Sequence, residues 1–434
     1  MKNRISGWGK NTFANTNIFF PKNINELKKN IKKSCIARGL GRSYGDCSIN
    51  SSNTIITTNL KKIISFDKKQ GILETESGVT IEQILDLIVK EGWFLPVTPG
   101  SKKVTVGGMI ASDVHGKNHH KVGSFSNFIL SFKLLNNKKK LIECSPKKNS
   151  SYFNYTIGAM GLTGIIYSCR FKLKKINSTL IFQEKIKNYD LKETLNCINK
   201  SKSWEYNVAW IDTSANIKNI GRSIITRGYF FKKKVDKLYY AKDKFVINKL
   251  PNIFPNFFMN SFFIKLLNFF YFTFSKTGKK TSSIDEFFYP LDKIYNWNVV
   301  YGSRGFISYQ CSIPMKDSYN SIYQILKILK ENRIYSFVSV LKSMSKNNKK
   351  LSFGQEGLTL VFDFPIYSNV LNILNKLDLV VMKFKGKVYM TKDSRILKEN
   401  FIKINNEFND INFKKLRKKS LFNFSSTQSQ RLKI

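Results

Sequence analysis

Hydrophobic and polar residues alternate over short distances in the first third of the chain, and glycines separate the apolar runs. The stretch Ile55–Gly100 predicts two strands, an amphipathic helix over Ile81–Glu91 and a further strand that ends in a Pro-Gly turn. Residues 128–145 predict a β-hairpin with its turn at Asn136–Lys138, and residues 158–176 predict a glycine turn followed by a long strand. This mixture of elements predicts an α+β fold.

The pattern changes after residue 176. Residues 177–385 contain longer apolar and polar alternations and several helical stretches, and we predict that they form a second domain. A strand in "GKVYMTKDSR", beginning at Gly386, and a helical stretch up to the basic C-terminus follow it. The sequence therefore predicts a glycine-rich first domain over 1–176 and a different domain after it.

The segment Ile253–Lys276 is very rich in phenylalanine. A membrane span needs about 20 predominantly apolar residues, whereas polar side chains interrupt this run at Asn256, Asn260, Lys265 and Asn268. One interpretation is a helix that lies in a membrane interface, with flanking lysines at Lys249, Lys276, Lys279 and Lys280. The other interpretation is an ordinary core helix or hairpin, and the sequence leaves both interpretations open.

Composition narrows the classes of function. Lys and Arg number 73 against 29 acidic residues, a formal charge of +44 that would attract nucleic acid, anionic lipid or phosphorylated substrates. The lysines are scattered along the chain, so we expect no nucleic-acid binding. The six cysteines form no CxxC pair, and the N-terminal residues lack the apolar core of a signal peptide. We therefore expect reduced thiols and a cytoplasmic protein.

All three histidines lie between His115 and His120. The window does not fit a P-loop, because Ala111 and Asn118 stand where Gly and Ser or Thr are required. It is also a poor zinc site, because Gly116 replaces the glutamate of H-E-x-x-H and disfavours a helix, and we expect no metal. A loop of small residues remains, which would let a flat polar ligand approach the backbone.

Two further glycine-rich stretches complete this picture. In "ARGLGRSYGD", Ala37–Asp46, the third glycine is one residue too late for a dinucleotide fingerprint. Its backbone N–H groups can still bind a phosphate. "GAMGLTG", Gly158–Gly164, is a third loop of this kind. Three glycine-rich loops would thus approach one ligand.

These loops resemble the FAD-binding (PCMH-type) domain of the vanillyl-alcohol-oxidase-type flavoproteins. Within that superfamily the chain resembles the oxidase subunits of decaprenylphosphoryl-β-D-ribose 2'-epimerases, on stretches that include "NVAWIDTSANIKNIGRSIITRG", "FFYPLDKIYNWNVVYGSRGFISYQCSIP" and "KVYMTKDSR". The resemblance covers nearly the whole chain. It implies an α+β, two-domain flavoprotein in which 1–176, completed by 386–434, bind FAD and 177–385 form a substrate domain with an antiparallel sheet.

The resemblance also implies which residues contact FAD. They are Ala37, Arg38, Gly39, Leu40, Gly41, Arg42, Ser43, Gly100, Ser101, Val104, Thr105, Gly107, Gly108, Ser112, Val114, His115, Gly116, Ile165 and Tyr389. Many superfamily members tether FAD through the histidine of a G-x-G-H-S motif. Arg42 stands at that position here, so we predict non-covalent FAD.

Alcohol oxidation by a flavin needs a group that takes the hydroxyl proton, because the flavin carries the hydride chemistry itself. By resemblance the catalytic residues are Lys392, Lys117, His115 and Tyr44. The substrate-binding residues are Lys117, Gln310, Lys342, Val361 and Lys392. A lysine acts as a base only where burial or neighbouring cations lower its pKa. Lys117 and Lys342 are candidate neighbours of Lys392, and they could instead hold the substrate phosphate or stabilise reduced, anionic flavin.

The reaction implied is oxidation of the 2'-hydroxyl of a polyprenyl-phosphoryl ribose to the 2'-keto sugar. A separate short-chain NAD(P)H reductase would then give the arabinose epimer. The Phe-rich segment 253–276 would contact the lipid-linked substrate. The protein would then bind peripherally at the inner face of the cell membrane. Ser308 and Thr359 stand where the family has amides, and Val361 where a cysteine can occur, which leaves the sugar and the lipid length open.

Two alternatives compete with this hypothesis. One is a sugar or aldonolactone oxidase of the same superfamily that acts on a soluble substrate; Arg42 argues against it, because those relatives usually carry the flavin-tethering histidine. The other is a basic membrane- or nucleic-acid-binding protein that has lost catalysis. Retention of Lys392, Lys117 and all three glycine-rich loops argues against that class.

Overall fold

The structure is a computed structural model that describes residues 2–233, 238–242, 246–247, 250, 259–347, 349–366, 369–420 and 424–434. The first part of the described chain contains strands β1 (Asn3–Ser6), β2 (Phe13–Phe19), β3 (Cys35–Arg38), β4 (Asn53–Ile56), β5 (Ile63–Asp67), β6 (Ile72–Glu76), β7 (Trp93–Phe94), β8 (Ile129–Leu135), β9 (Leu141–Cys144), β10 (Ile165–Lys172) and β11 (Lys174–Lys175). Its helices are α1 (Ile24–Asn30), α2 (Ile81–Ile88), α3 (Val106–Ala111), α4 (His119–Val122) and α5 (Ser150–Thr156).

The later strands are β12 (Ile181–Asn188), β13 (Tyr206–Ile211), β14 (Ser223–Phe230), β15 (Gly278–Ser282), β16 (Phe306–Pro314), β17 (Ser339–Met344), β18 (Gly357–Pro365) and β19 (Lys387–Val388). The later helices are α6 (Leu191–Lys200), α7 (Ser261–Phe274), α8 (Ile284–Phe288), α9 (Ser318–Glu331), α10 (Val370–Lys383), α11 (Lys398–Ile404), α12 (Ile411–Ser420) and α13 (Thr427–Leu432). The prediction of an α+β fold is confirmed.

The sheets divide the chain into two kinds of structure. A four-stranded sheet in the order β1-β2-β4-β3 contains parallel pairs, and a five-stranded sheet in the order β5-β6-β10-β8-β9 is antiparallel. An eight-stranded sheet follows in the order β15-β12-β14-β13-β17-β18-β16-β19, and all its pairs are antiparallel. The predicted antiparallel sheet is thus present, and the domain boundaries at 176 and 386 stay predictions.

Most predicted elements of the first third are confirmed. Thr80 caps α2 in a capping box with Gln83, and a 3-10 turn extends the helix to Glu91. Strands β8 and β9 form the predicted hairpin, and β10 follows the glycine turn. The strand predicted from Gly386 is wrong in length: it covers only β19, because the chain turns after Tyr389, where Lys392 N–H donates to the Tyr389 carbonyl at 3.0 Å.

The Phe-rich segment contains one described helix, α7, and residues 251–258 lie outside the described part. Ile264, Asn268 and Phe272 form its buried stripe, while Phe262 and Phe274 are 75% and 71% exposed. The amide of Asn268 donates to Asp212 Oδ1 at 3.0 Å, which anchors the helix to the end of β13. None of the described helices is long and apolar enough to cross a membrane.

Candidate active site

A cavity of about 730 Å³ is lined by the glycine-rich loops and by one face of the eight-stranded sheet. Side chains of a strand point alternately to its two faces. In β18, Val361 and Asp363 therefore line the cavity, while Leu360 and Phe362 belong to the hydrophobic core. In β17, Lys342 lines the cavity in the same way and Leu341 lies in the core.

The structure brings nearly all the predicted site residues to this cavity. Every predicted catalytic and substrate-binding residue lines it, and so does every predicted FAD contact except Ile165. The Ile165 side chain is fully buried in a separate core cluster, while its neighbours Gly164 and Ile166 line the cavity. The individual roles stay predictions. Within the described residues, no group of His, Cys, Asp and Glu side chains could hold a metal ion.

The geometry of the glycine-rich loops fits a large anionic ligand such as FAD. A Cβ added to Gly39 would lie 2.2 Å from Thr105 Oγ1, so this close approach requires glycine. A Cβ on Gly100 would meet nothing within 4 Å. The backbone N–H groups of residues 40–43 donate to no acceptor among the described residues, and all four residues line the cavity. Adjacent free N–H groups of this kind bind phosphate oxygens.

Arg42, which replaces the flavin-tethering histidine, is held beside an aromatic ring and a carboxylate. Its guanidinium lies 3.8 Å from the ring centroid of Trp8. Burial lowers the pKa of Arg42, and the charge of Asp292 opposes that change. Asp292 also accepts 2.7 Å hydrogen bonds from the Ser101 hydroxyl and the Lys102 N–H. Asp292 thus ties the loop at 101–102 to the neighbourhood of Arg42.

A chain of hydrogen bonds fixes the imidazole of His115. The Thr359 hydroxyl donates to the Cys311 carbonyl at 2.9 Å, so its oxygen accepts from the Gln310 amide at 3.1 Å. The same amide nitrogen lies 2.9 Å from His115 Nε2. An amide NH₂ is a donor, so Nε2 is the acceptor and Nδ1 carries the proton.

The surroundings of His115 keep it neutral. The side chain is buried, and its ring packs against Tyr389 with a centroid distance of 5.1 Å. Burial lowers the pKa of His115 well below its ordinary value, and the charge of Lys342 lowers it further. The Tyr389 hydroxyl donates to the Ser112 carbonyl at 2.7 Å, which joins the histidine loop to the Lys392 loop.

Lys392 shares the cavity with a carboxylate, Asp363, that the sequence did not indicate. Its amine stands 4.4 Å from the ring centroid of Tyr44. Burial lowers the pKa of Lys392, and the charge of Asp363 raises it in part. Burial also raises the pKa of Asp363, whose Oδ1 accepts from the Ser308 hydroxyl at 2.5 Å and whose Oδ2 has no partner in the described structure.

Two more predicted lysines have amines with strongly shifted pKa values. Burial, and then the charge of Lys342, lower the pKa of Lys117 to about 7. Its amine donates to the Phe287 carbonyl. Burial and the charge of Lys392 lower the pKa of Lys342 to about 7. Near neutral pH each amine can therefore exist with or without its proton.

Ion pairs from the C-terminal helix hold the loop that carries Lys392. Arg431 of α13 lies 2.8 Å from Asp393 and 3.1 Å from Asp46, the residue that ends the first glycine-rich loop. On the other side of the loop, Arg395 pairs with Asp378 at 2.5 Å. The position of Lys392 is therefore fixed on both sides.

Among the charged residues at this site that sequence reasoning missed are Asp292, Asp363 and Lys185. Asp363 is the one charged residue of β18, and a lone carboxylate in an apolar strand was an available signal. Lys185 lies in the polar strand β12, whose sequence does not show which side chains face a cavity. Nothing in the local sequence around Asp292 indicates its contact with the loop at 101–102.

Comparison with known proteins agrees with this geometry. A family model for an FAD binding domain matches residues 17–145. The decaprenylphosphoryl-beta-D-ribose oxidase of Mycolicibacterium smegmatis is 31% identical over 416 residues, which cover 92% of this chain and 90% of that protein. The chain belongs to this oxidase family. It is an FAD-linked oxidoreductase.

More distant relatives of the oxidase family match only part of the chain. The human Delta(24)-sterol reductase is 30% identical over 27% of this chain and 23% of its own length. A putative D-arabinono-1,4-lactone oxidase of Neurospora crassa is 26% identical over 35% of this chain and 28% of its own length. The likeness to the mycobacterial oxidase therefore extends over far more of the chain than either of these shorter matches.

Proposed function

We propose that this chain oxidises the 2'-hydroxyl of a polyprenyl-phosphoryl-β-D-ribose to the 2'-keto sugar, the first half of an epimerisation to arabinose. The observation that carries the proposal is that the buried amine of Lys392 and the unpartnered Oδ2 of Asp363 line one cavity together with the glycine-rich loops. Family membership over 92% of the chain supports the choice of substrate.

The loops at 39–43 and 100–108 would hold FAD without a covalent bond. When bound there, FAD would supply the hydride acceptor that oxidation of the carbinol carbon needs. The chain's own part is to bind and orient. Arg42 is a guanidinium stacked on Trp8, and a guanidinium cannot serve as the tethering imidazole. Acid precipitation of the protein should therefore release all its yellow colour into the supernatant, and colour in the pellet would contradict this.

Lys392 would take the proton of the 2'-hydroxyl as the C–H bond breaks. Burial favours its neutral form, which is the form that can accept a proton. The negative charge of Asp363 would then stabilise the ammonium that forms. Neutral His115, held by Gln310, would present its Nδ1–H as a hydrogen-bond donor for orientation.

The lipid part of the substrate would meet the protein at α7. Tyr271 of this helix lines the cavity, and the neighbouring Phe270 and Phe274 are exposed. Exposed aromatic side chains near Lys265 and Lys276 suit the interface of an anionic bilayer. We infer peripheral binding at the inner face of the cell membrane, and a separate short-chain NAD(P)H reductase that reduces the keto product.

Anaerobic mixing tests the reaction directly. The flavin absorbance, near ~450 nm for this cofactor, should bleach when synthetic polyprenyl-phosphoryl ribose is added. Free ribose and aldonolactones are the control substrates. Bleaching by a lactone and not by the lipid-linked sugar would replace the proposal with a soluble sugar or lactone oxidase.

A further inference from the structure

Lysine amines outnumber carboxylates at the cavity wall. Four lysines line the cavity, at Lys117, Lys185, Lys342 and Lys392, and the carboxylates that line it are Asp363 and Glu286. Glu286 is occupied, because it pairs with Lys280. The amines of Lys185 and Lys342 donate to no acceptor among the described residues. Unpaired charges in a partly dry cavity are costly, so a site of this kind gains from an anionic ligand.

The strand register places two of these lysines in one row across the sheet. Lys185 pairs with Thr226, and Thr226 pairs with Val208. In the antiparallel pairing of β13 with β17, Trp210 lies opposite Val340. Val208, two residues before Trp210, therefore lies opposite Lys342. Lys185 and Lys342 are thus three strand spacings apart, about 14 Å between backbones.

Lys117 reaches the middle of this row from the histidine loop. Its carbonyl accepts a 3.0 Å hydrogen bond from the N–H of Asn207, the neighbour of Val208. Its amine lies 4.7 Å from the ring centroid of Phe287. The charges of Lys342 and Lys185 both act on that amine, which places it within electrostatic reach of each.

The two ends of the row differ in their neighbours. Lys342 lines the same cavity as Lys392 and lies within electrostatic reach of its charge, and so belongs to the end where the hydroxyl reacts. Lys185 lies at the other end, near Glu286 and Lys280. A ligand that spans the row would therefore have its reacting hydroxyl at one end and its negative charge towards Lys117 and Lys185.

We propose that Lys185 and Lys117 form a phosphate subsite, and that Lys185 makes the enzyme selective for a sugar that carries an anionic phosphate. The inference rests on the proposed function and adds a specificity-determining residue to it. A neutral sugar or lactone would leave both amines unpaired, so its binding would lack the charge-assisted hydrogen bonds that the phosphodiester makes.

Polyprenyl phosphate and polyprenol are the probes, since neither carries the sugar that reacts. Binding is followed by tryptophan fluorescence, because Trp210 lines the cavity. Lys185→Met should weaken binding of polyprenyl phosphate by about tenfold or more and leave binding of polyprenol unchanged. Lys185→Arg should restore most of the loss. Lys187→Met is the matched control on the same strand, because the Lys187 amine donates to the Thr273 carbonyl and lies outside the cavity lining.

Kinetics with the ribosyl substrate give an independent readout. Lys185→Met should raise KM and leave kcat nearly unchanged, since the lost contact is to a group that does not react. Equal affinity of Lys185→Met and the unaltered protein for polyprenyl phosphate would overturn the subsite. If polyprenyl phosphate binds through Lys185 but the ribosyl lipid fails to bleach the flavin, the subsite stands and the proposed reaction falls. If the ribosyl lipid bleaches the flavin but Lys185→Met changes neither the binding of polyprenyl phosphate nor KM, the proposed reaction stands and the subsite falls.

Discussion

The Gln310 amide nitrogen lies 2.9 Å from His115 Nε2, and this contact sets the tautomer of the buried histidine. Thr359 fixes the amide orientation, because its oxygen accepts the other amide hydrogen while its hydroxyl donates to a backbone carbonyl. Gln310 and Thr359 belong to adjacent strands, β16 and β18, whereas His115 comes from the loop after α3. A polar contact between the sheet and the glycine-rich loops thus sets the hydrogen-bonding character of the site.

Gln310→Glu should raise the pKa of His115. A carboxylate accepts hydrogen bonds, so Nε2 would have to carry a proton, and the negative charge would stabilise the imidazolium. NMR of isotope-labelled histidine can follow this titration, because the chain has only three histidines. Gln183→Glu, which adds a carboxylate at another cavity-lining glutamine, is the matched control. An unchanged His115 titration in Gln310→Glu would refute the assignment.

Asp363→Asn should move the pH profile of flavin reduction to lower pH. The base must be neutral, so the rate rises with pH through the pKa of Lys392. Burial lowers that pKa and Asp363 raises it in part, so removal of the carboxylate lowers it further. Stopped-flow absorbance across the stable pH range measures the inflection. Ser308→Ala, which removes only the hydrogen bond to Asp363, should shift it much less. A shift to higher pH would contradict Lys392 as the base.

Arg431→Met should destabilise the protein by about 3 kcal/mol, because it leaves two buried carboxylates without their shared partner. Asp46 and Asp393 are 2% and 1% exposed as side chains. Burial raises the pKa of Asp393, but Arg431 and Arg395 outweigh it and hold the pKa below its ordinary value. The stabilisation through Asp393 is therefore present above the ordinary pKa of a carboxyl group and is lost as pH falls through the lowered value. Burial raises the pKa of Asp46 despite Arg431, so Asp46 gains its proton first as pH falls.

Thermal melting at several pH values tests this ion pair. The deficit of Arg431→Met should be largest at neutral pH and should narrow in acid, where the carboxylates gain protons. Arg431→Lys keeps the charge but lacks the planar guanidinium that reaches both carboxylates. Its melting temperature should therefore lie between those of Arg431→Met and the unaltered protein. If Arg431→Met melts like the unaltered protein at neutral pH, the ion pairs of Arg431 with Asp46 and Asp393 contribute little to stability.

Replacement of the exposed aromatics of α7 should weaken membrane binding. Phe262, Phe269 and Phe274 are 75%, 49% and 71% exposed, so their change to Ser leaves the buried stripe of the helix intact. Sedimentation with anionic vesicles measures the loss. Phe13→Ser with Phe20→Ser is the matched control, because these side chains are 45% and 52% exposed far along the chain from α7. Equal sedimentation of all three proteins would rule out α7 as the contact.

Local signals made much of the fold predictable. The helix α2 has both an apolar period and a capping box, Thr80 with Gln83, so its start was visible in the sequence. The hairpin β8–β9 has polar turn residues between two apolar runs. By contrast, β19 ends after two residues because the chain then turns and brings Lys392 to the cavity. No local pattern in the sequence indicates this turn.

Site residues that lie in recognisable motifs could be predicted from the sequence, whereas residues brought together by strand pairing or long-range contacts could not. The glycine loops and Lys392 were found through motifs that resemble a known family. Asp363 and Lys392 come to the same cavity only through the pairing of β18, β16 and β19, and Arg431 meets Asp46 across 385 residues of sequence. Contacts of this range depend on the completed fold, and no local pattern indicates them.

Single-turnover reduction with deuterated substrate tests the central claim most directly. Polyprenyl-phosphoryl ribose with deuterium at C2' should bleach the flavin several-fold more slowly than the unlabelled lipid, because that C–H bond breaks in the step observed. Deuterium at C3' should have no such effect. The same rate with both labels as with the unlabelled lipid, or a slow phase with the C3' label alone, would contradict oxidation at the 2'-hydroxyl.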